Sequence, residues 1–207
     1  MRAIGAGGEI KFGSGVMVAP ERVATACHVT RHAATIEVIH EARRWVAQDQ
    51  IGSLVHDLCV LIVPAVEIPV AQTRRSEELR AGERVIAAGF QGSGRDLVVS
   101  RGAVVGLYRY DSGQVIRTTA SFDFGSSGGG LFDEAGNLVG LLAFKGRTGQ
   151  TLRFALPSEW LSPVSPVAGT FTRIERSSMA RAFWEQPQED RPAFLGVAMR
   201  EAAEGYE

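Results

Sequence analysis

Gly125-Ser126-Ser127-Gly128-Gly129-Gly130-Leu131-Phe132 is the stretch that decides how this chain folds. A serine stands in a glycine-rich turn that runs straight into an apolar pair. A serine hydroxyl is a poor nucleophile unless a base removes its proton and donors stabilise the oxyanion that follows. Glycines beside it let the backbone bend sharply, so that successive N–H groups can aim at one developing negative charge. Loops rich in Gly and Ser are common, so the partners elsewhere in the chain carry the decision.

All four histidines, His28, His32, His40 and His56, precede Ser127. Residues 125–129 also fit the G-x-S-x-G elbow of the α/β-hydrolases, in which the histidine follows the serine. No histidine does so here, which excludes that fold. His28 closes an apolar segment, Val23-Ala24-Thr25-Ala26-Cys27-His28-Val29, and Asp57 opens another, Asp57-Leu58-Cys59-Val60-Leu61-Ile62-Val63. A carboxylate at the mouth of an apolar strand is poorly hydrated and needs a partner, and an imidazole N–H is a suitable one. His56 adjoins Asp57, but neighbours on a strand point to opposite faces, so His56 is expected not to meet that acid. His28 and His32 are spaced i, i+4. The glutamate of H-E-x-x-H and a third ligand are both missing, so no metal site is expected. His32 and His40 read as surface residues. Taken singly, His28 could be a core histidine and Asp57 a turn cap. Together, in the order His, Asp, Ser, the three residues point to catalysis.

The blocks Thr25-Ala26-Cys27-His28-Val29, His56-Asp57-Leu58-Cys59-Val60-Leu61 and Gly125-Ser126-Ser127-Gly128-Gly129 resemble the three active-site blocks of trypsin-like serine proteases. The likeness is greatest to the compact, bacterial HtrA-like branch of that chymotrypsin fold. Residues 154–161 resemble the end of the same domain. Ser126 stands where many relatives have Asn, and Gly130 where many have Pro. The resemblance implies an all-β fold: two six-stranded antiparallel Greek-key β-barrels with the active site between them. It implies a serine endopeptidase working through an acyl-enzyme, with His28, Asp57 and Ser127 catalytic. The backbone N–H groups of Gly125 and Ser127 would form the oxyanion hole. Ser121, Ala143, Phe144 and Lys145 would border the substrate. Ser121 would floor the specificity pocket without a charge, which disfavours Arg and Lys. A protein or peptide substrate is the expected partner, and no metal or organic cofactor is called for. The alternative is a silent protease fold acting as a peptide-binding or chaperone-like scaffold, and the full triad speaks against it.

Cys27 precedes His28, and Cys59 lies two residues after Asp57. If these blocks converge, a disulfide would staple them, as suits an oxidising compartment. Two buried free thiols are the other possibility. Family and cysteines favour a periplasmic or secreted protein. Residues 1–20 lack the apolar core of a signal peptide, which leaves the cytoplasm open.

The 207 residues suffice for a sizeable core, and the formal net charge of −1 comes from interspersed acids and bases. No basic patch points to nucleic acid, and no apolar run approaches the ~20 residues of a membrane span. Oligomeric state is not legible. Strands are expected at 15–18, 23–27, 35–39, 45–48 and 58–63, then at 84–89, 97–108, 115–119, 130–132, 138–144 and 152–155. Residues 1–161 read as the peptidase domain, with the junction between barrels near 64–81. Residues 162–207 read as a linker and tail, too short for the PDZ domain of many relatives. Within it, 177–186 and 192–203 have amphipathic helical spacing.

Overall fold

The computed structural model describes residues 1–92, 96–110, 113–148, 150–162 and 171–174, and at 144–148, 150 and 151 the backbone alone. The helices expected at 177–186 and 192–203 lie outside the described residues, as does most of the linker before them. The fold is all-β. The first half runs β1 (Arg2–Gly5), β2 (Ile10–Phe12), β3 (Val16–Ala19), β4 (Arg22–Ala26), the one-turn helix α1 (Cys27–Thr30), β5 (Ala33–His40), β6 (Arg43–Val46), β7 (Asp49–Ser53) and β8 (Leu58–Ile62). The second runs β9 (Arg84–Gln91), β10 (Asp96–Tyr110), β11 (Gly113–Thr118), β12 (Gly130–Asp133), β13 (Leu138–Thr148) and β14 (Gln150–Pro157). A short β15 (Thr172–Arg173) follows.

The second half closes into a six-stranded barrel in the order β10-β11-β14-β13-β12-β9. Its strands carry the period-two pattern that closure needs. On β9, Val85, Ala87 and Gly89 are buried while their neighbours are less so. Val85, Ala87, Val104, Ile116, Leu131 and Leu142 meet in the barrel interior.

The first half departs from the expected second ring. Its strands form two sheets, β2-β1-β5-β6 and β15-β7-β8-β4-β3, and hydrogen bonds do not join them into a closed barrel. The reason is local. At Ala47-Gln48 the chain changes sheets: Ala47 N–H donates to Ile36 O of the first, and Gln48 N–H to Ile62 O of the second. Such a corner lets two sheets share a core without a continuous ladder. Ala3 and Ile36 from one sheet pack against Met17, Val23 and Leu61 from the other.

The two halves meet in a further apolar cluster. Ala24 and Leu58 from the first half lie with Leu141, Ala143, Phe154 and Trp160 from the second. The polar stretch 64–81 is pinned to the second barrel. Arg74 pairs with Glu83 and with Asp133, at 3.3 Å from the latter. The hydrogen bond from Arg74 holds the Glu83 carboxyl below its ordinary pKa. Beyond 162 the chain returns to the first half. Thr172 and Arg173 pair with Gly52 and Ile51, adding an edge strand where the sequence suggested only linker.

Candidate active site

The site starts from the β4–β8 ladder. Ala26 stands opposite Leu58 and Thr25 opposite Cys59, so the residues leaving β4 meet those entering β8. His28 is therefore presented from the single turn of α1, just past the strand end where the sequence placed it. Asp57 takes a left-handed backbone conformation, φ 53°. Asp is among the few non-glycine residues that tolerate this region. The turn brings its carboxylate back over α1. One oxygen accepts the His28 backbone N–H at 2.7 Å, and the other faces His28 Nδ1 at 2.6 Å. The Asp57 carbonyl accepts the Cys27 N–H at 3.1 Å. The Asp57 side chain is 8% exposed and that of His28 40%, so the acid is shielded while the imidazole reaches solvent. Nδ1 faces the acid, so Nε2 is the ring nitrogen that Asp57 leaves unengaged.

The serine loop lies against the same strand end. A Cβ on Gly128 would come within 2.8 Å of Ala26 N and 2.5 Å of Ser14 O, so only glycine permits this approach, and its φ is 82°. Gly125 also has positive φ, 91°. Inside the loop the Ser126 N–H goes to Asp123 O, the Gly128 N–H to Leu142 O and the Gly129 N–H to Ser126 O. Among the described residues, no hydrogen bond takes up the N–H of Gly125 or of Ser127. These are the two donors that the resemblance assigned to an oxyanion. Ser127 itself is half-buried.

His56 is kept apart from this pair. It is 2% exposed, with Nδ1 2.8 Å from Ser53 Oγ and its ring edge-on to Trp160. His40 is exposed, as expected, but His32 is not a surface residue. It is half-buried in a small cavity beside Glu9, Lys11 and Val29. Burial, then the cationic Arg31 and Lys11, lower its pKa. Among the described residues, no three His, Cys, Asp or Glu side chains cluster as a metal site requires.

The residues expected around the substrate are scattered in character. Ser121 is exposed rather than sealed in a pocket floor, its N–H held by Ser100 Oγ at 2.8 Å. Ala143 is buried in the cluster between the halves. Phe144 and Lys145 follow it on β13, their backbones opposite Phe154 and Arg153. Their side chains lie outside the described residues. Sequence reasoning missed Phe124, which is 90% exposed three residues before Ser127. It also missed Ser14, whose small-residue setting, Gly13-Ser14-Gly15, was the available signal of close backbone approach.

Cys27 and Cys59 form a disulfide with Cα atoms 5.0 Å apart, so the free-thiol possibility falls away. Both are fully buried under Ile174 and Leu54. The bond closes a loop of sequence separation 32 that contains neither strand end by chance: it joins the His28 block to the Asp57 block. A loop of that size corresponds to about 3–4 kcal/mol of stabilisation in the chain-entropy picture. Oxidised protein, denatured and alkylated without reductant, is expected to show no modified cysteine and one bridge by peptide mass mapping. Two alkylated cysteines would refute it.

Comparison with known proteins identifies the family. The family profile described as "Trypsin-like peptidase domain" matches residues 13–141. Serine protease HTRA4 of Homo sapiens is 32% identical over 158 residues, which cover 71% of this chain and 33% of that protein. Serine protease Do-like HtrA of Bacillus subtilis is 32% identical over 183 residues, covering 79% of this chain and 40% of the relative. The chain thus spans well under half the length of these relatives. Among solved structures, the HtrA-type protease AlgW with a tripeptide superposes with a TM-score of 0.67 at 28% identity, covering 76% of this chain and 55% of that one. The chain belongs to the trypsin-like peptidase family, on its HtrA-like serine protease branch.

Proposed function

We propose that the chain is a serine endopeptidase in which Ser127 is the nucleophile, His28 the general base and then general acid, and Asp57 the carboxylate that orients His28. The observation that carries this reading is the His28–Asp57 pair, 2.6 Å apart, at the strand end against which the serine loop packs. Ser127 Oγ attacks the scissile carbonyl as His28 Nε2 takes its proton. The tetrahedral oxyanion is met by the N–H groups of Gly125 and Ser127. The intermediate collapses to an acyl-enzyme, and His28 returns the proton to the leaving amine. Water, deprotonated by His28, then attacks the acyl group and frees Ser127. Asp57 orients the imidazole and stabilises its cationic form without itself being protonated. No step needs a metal or organic cofactor. AlgW, with its bound tripeptide, supports a peptide as the substrate class. Residues 1–161 are read as the peptidase domain, its first half a pair of sheets between which the chain passes at Ala47-Gln48.

The test is labelling with a fluorophosphonate probe and mapping of the modified peptide. Modification of Ser127, lost when the protein is first denatured, is expected. An unlabelled native protein, or a label on another serine, would refute the assignment.

Specificity follows from the absence of an acid at Ser121 and the presence of Lys145 on the proposed border. A substrate Arg or Lys entering there finds no carboxylate to pair with and one cation to repel it. Cleavage after Val, Ala or Leu is therefore expected to exceed cleavage after Arg or Lys by at least ~10-fold in a peptide-library digest read by mass spectrometry. Dominant cleavage after basic residues would overturn the pocket assignment and turn attention to Asp123.

A further inference from the structure

Ser14 belongs to none of the three active-site blocks, yet it is tied to the serine loop through both its backbone and its side chain. It is 1% exposed and lies between β2 and β3. Its N–H donates to Ser127 O at 2.8 Å. Its hydroxyl accepts the Phe90 N–H at 2.8 Å and donates to Gly125 O, also at 2.8 Å. Phe90 O is farther from it, at 3.4 Å. Ser14 in turn is fixed by Thr25, whose Oγ1 donates to the Ser14 carbonyl at 2.8 Å. One side chain from the first half thus reaches strand β9 and the nucleophile loop of the second.

The bonds fall on particular peptide units. In the unit from Gly125 to Ser126, the carbonyl is held by Ser14 Oγ and the N–H by Asp123 O. In the unit from Ser127 to Gly128, the carbonyl is held by Ser14 N–H and the N–H by Leu142 O. The units between and before them keep their carbonyls on Gly129 N–H and Gly92 N–H. Their N–H groups, at Ser127 and Gly125, are the ones left open. Gly125 has no side chain to resist rotation, so its orientation depends on these outside anchors.

We infer that Ser14 is a positioning residue for the oxyanion donors: it clamps the carbonyls of Gly125 and Ser127 so that the two open N–H groups converge. This role rests on the triad reading above. Without the hydroxyl, Gly125 O and Phe90 N–H lose a buried partner, and the Gly125 unit is free to turn toward another one. Displacing a preorganised donor acts on the transition state far more than on bound substrate.

The experiment compares the full chain with Ser14→Ala and Ser14→Thr. It measures kcat, KM, circular dichroism, and inhibition by a peptide boronic acid against inhibition by the product peptide. In Ser14→Ala, kcat is expected to fall by ~30- to 300-fold with KM within about threefold, and boronate binding to weaken in parallel while product binding holds. Ser14→Thr, which keeps the hydroxyl, is expected to recover most of the loss. Wild-type kcat and boronate affinity in folded Ser14→Ala would overturn the role, as would a change confined to KM. Failure of both variants to fold would also overturn it, leaving Ser14 to the framework alone. A wild type without Ser127-dependent turnover would sink the triad reading, and this role with it. An active wild type beside an unaffected Ser14→Ala would sink this role alone.

Discussion

Ser127→Ala is expected to lower peptide hydrolysis by ~10⁴- to 10⁶-fold while the protein melts within a degree or two of wild type. The Ser127 hydroxyl carries the acyl chain in the proposed mechanism, while that of its neighbour Ser126 is buried. Removing the Ser127 hydroxyl leaves the Ser127 carbonyl on Ser14 and the Gly128 N–H on Leu142, so the loop keeps its backbone bonds. Half-buried Ser127 has no described side-chain hydrogen bond to lose. Any residual rate comes from the open N–H groups and from substrate binding. The measurement is kcat/KM on a peptide substrate with purified protein, set beside a thermal melt. Wild-type turnover in the alanine variant would remove Ser127 from the mechanism.

Asp57→Asn is expected to cost ~10³- to 10⁴-fold in kcat without unfolding the chain. Asparagine tolerates the left-handed φ of 53° that position 57 requires. Its carbonyl oxygen can still accept the His28 backbone N–H, as Oδ1 of Asp57 does. Its NH₂ then faces Nδ1, where a carboxylate oxygen now stands at 2.6 Å. A donor there turns Nδ1 into an acceptor and drives the ring proton to Nε2. Nε2 can then no longer accept the proton of Ser127. The variant should keep the wild-type circular dichroism and lose fluorophosphonate labelling in proportion to kcat. Unchanged labelling would show that the His28 tautomer does not govern Ser127. Asp57→Ala is the poorer probe, because it also strains the backbone and frees two buried donors.

Chemistry that depends on residue identity was the easier part to read. The order of His28, Asp57 and Ser127 is a property of the chain, and the structure brings His28 and Asp57 into contact and lays the serine loop beside them. Strands with plain alternation, such as Arg84–Gln91, were placed to within two residues. Asp49–Ser53 was not found, because its buried positions are Gln50, Gly52 and Ser53 and carry no apolar signal. Arg2–Gly5 and Ile10–Phe12 are short and flank a run of glycines. The change of sheet at Ala47-Gln48 depends on which carbonyl each N–H selects, and composition does not encode that choice. Ser14 was missed for a related reason. Its partners Phe90 and Gly125 stand 76 and 111 residues away.

The clamp between Ser14 and the serine loop also bears on timing. During synthesis the ribosome releases His28 and Asp57, with the disulfide-forming Cys27 and Cys59 beside them, well before Ser127. Ser127 emerges much later, and its loop is tied to a residue made 111 positions before Gly125. Leu141, Ala143 and Phe154 must then close over Ala24 and Leu58 before the two halves hold their final alignment. A nascent chain carries a histidine and an acid without a usable serine. On the proposed mechanism, hydrolysis waits until Ser14, the histidine and acid blocks and the serine loop have all been made and the two halves have met.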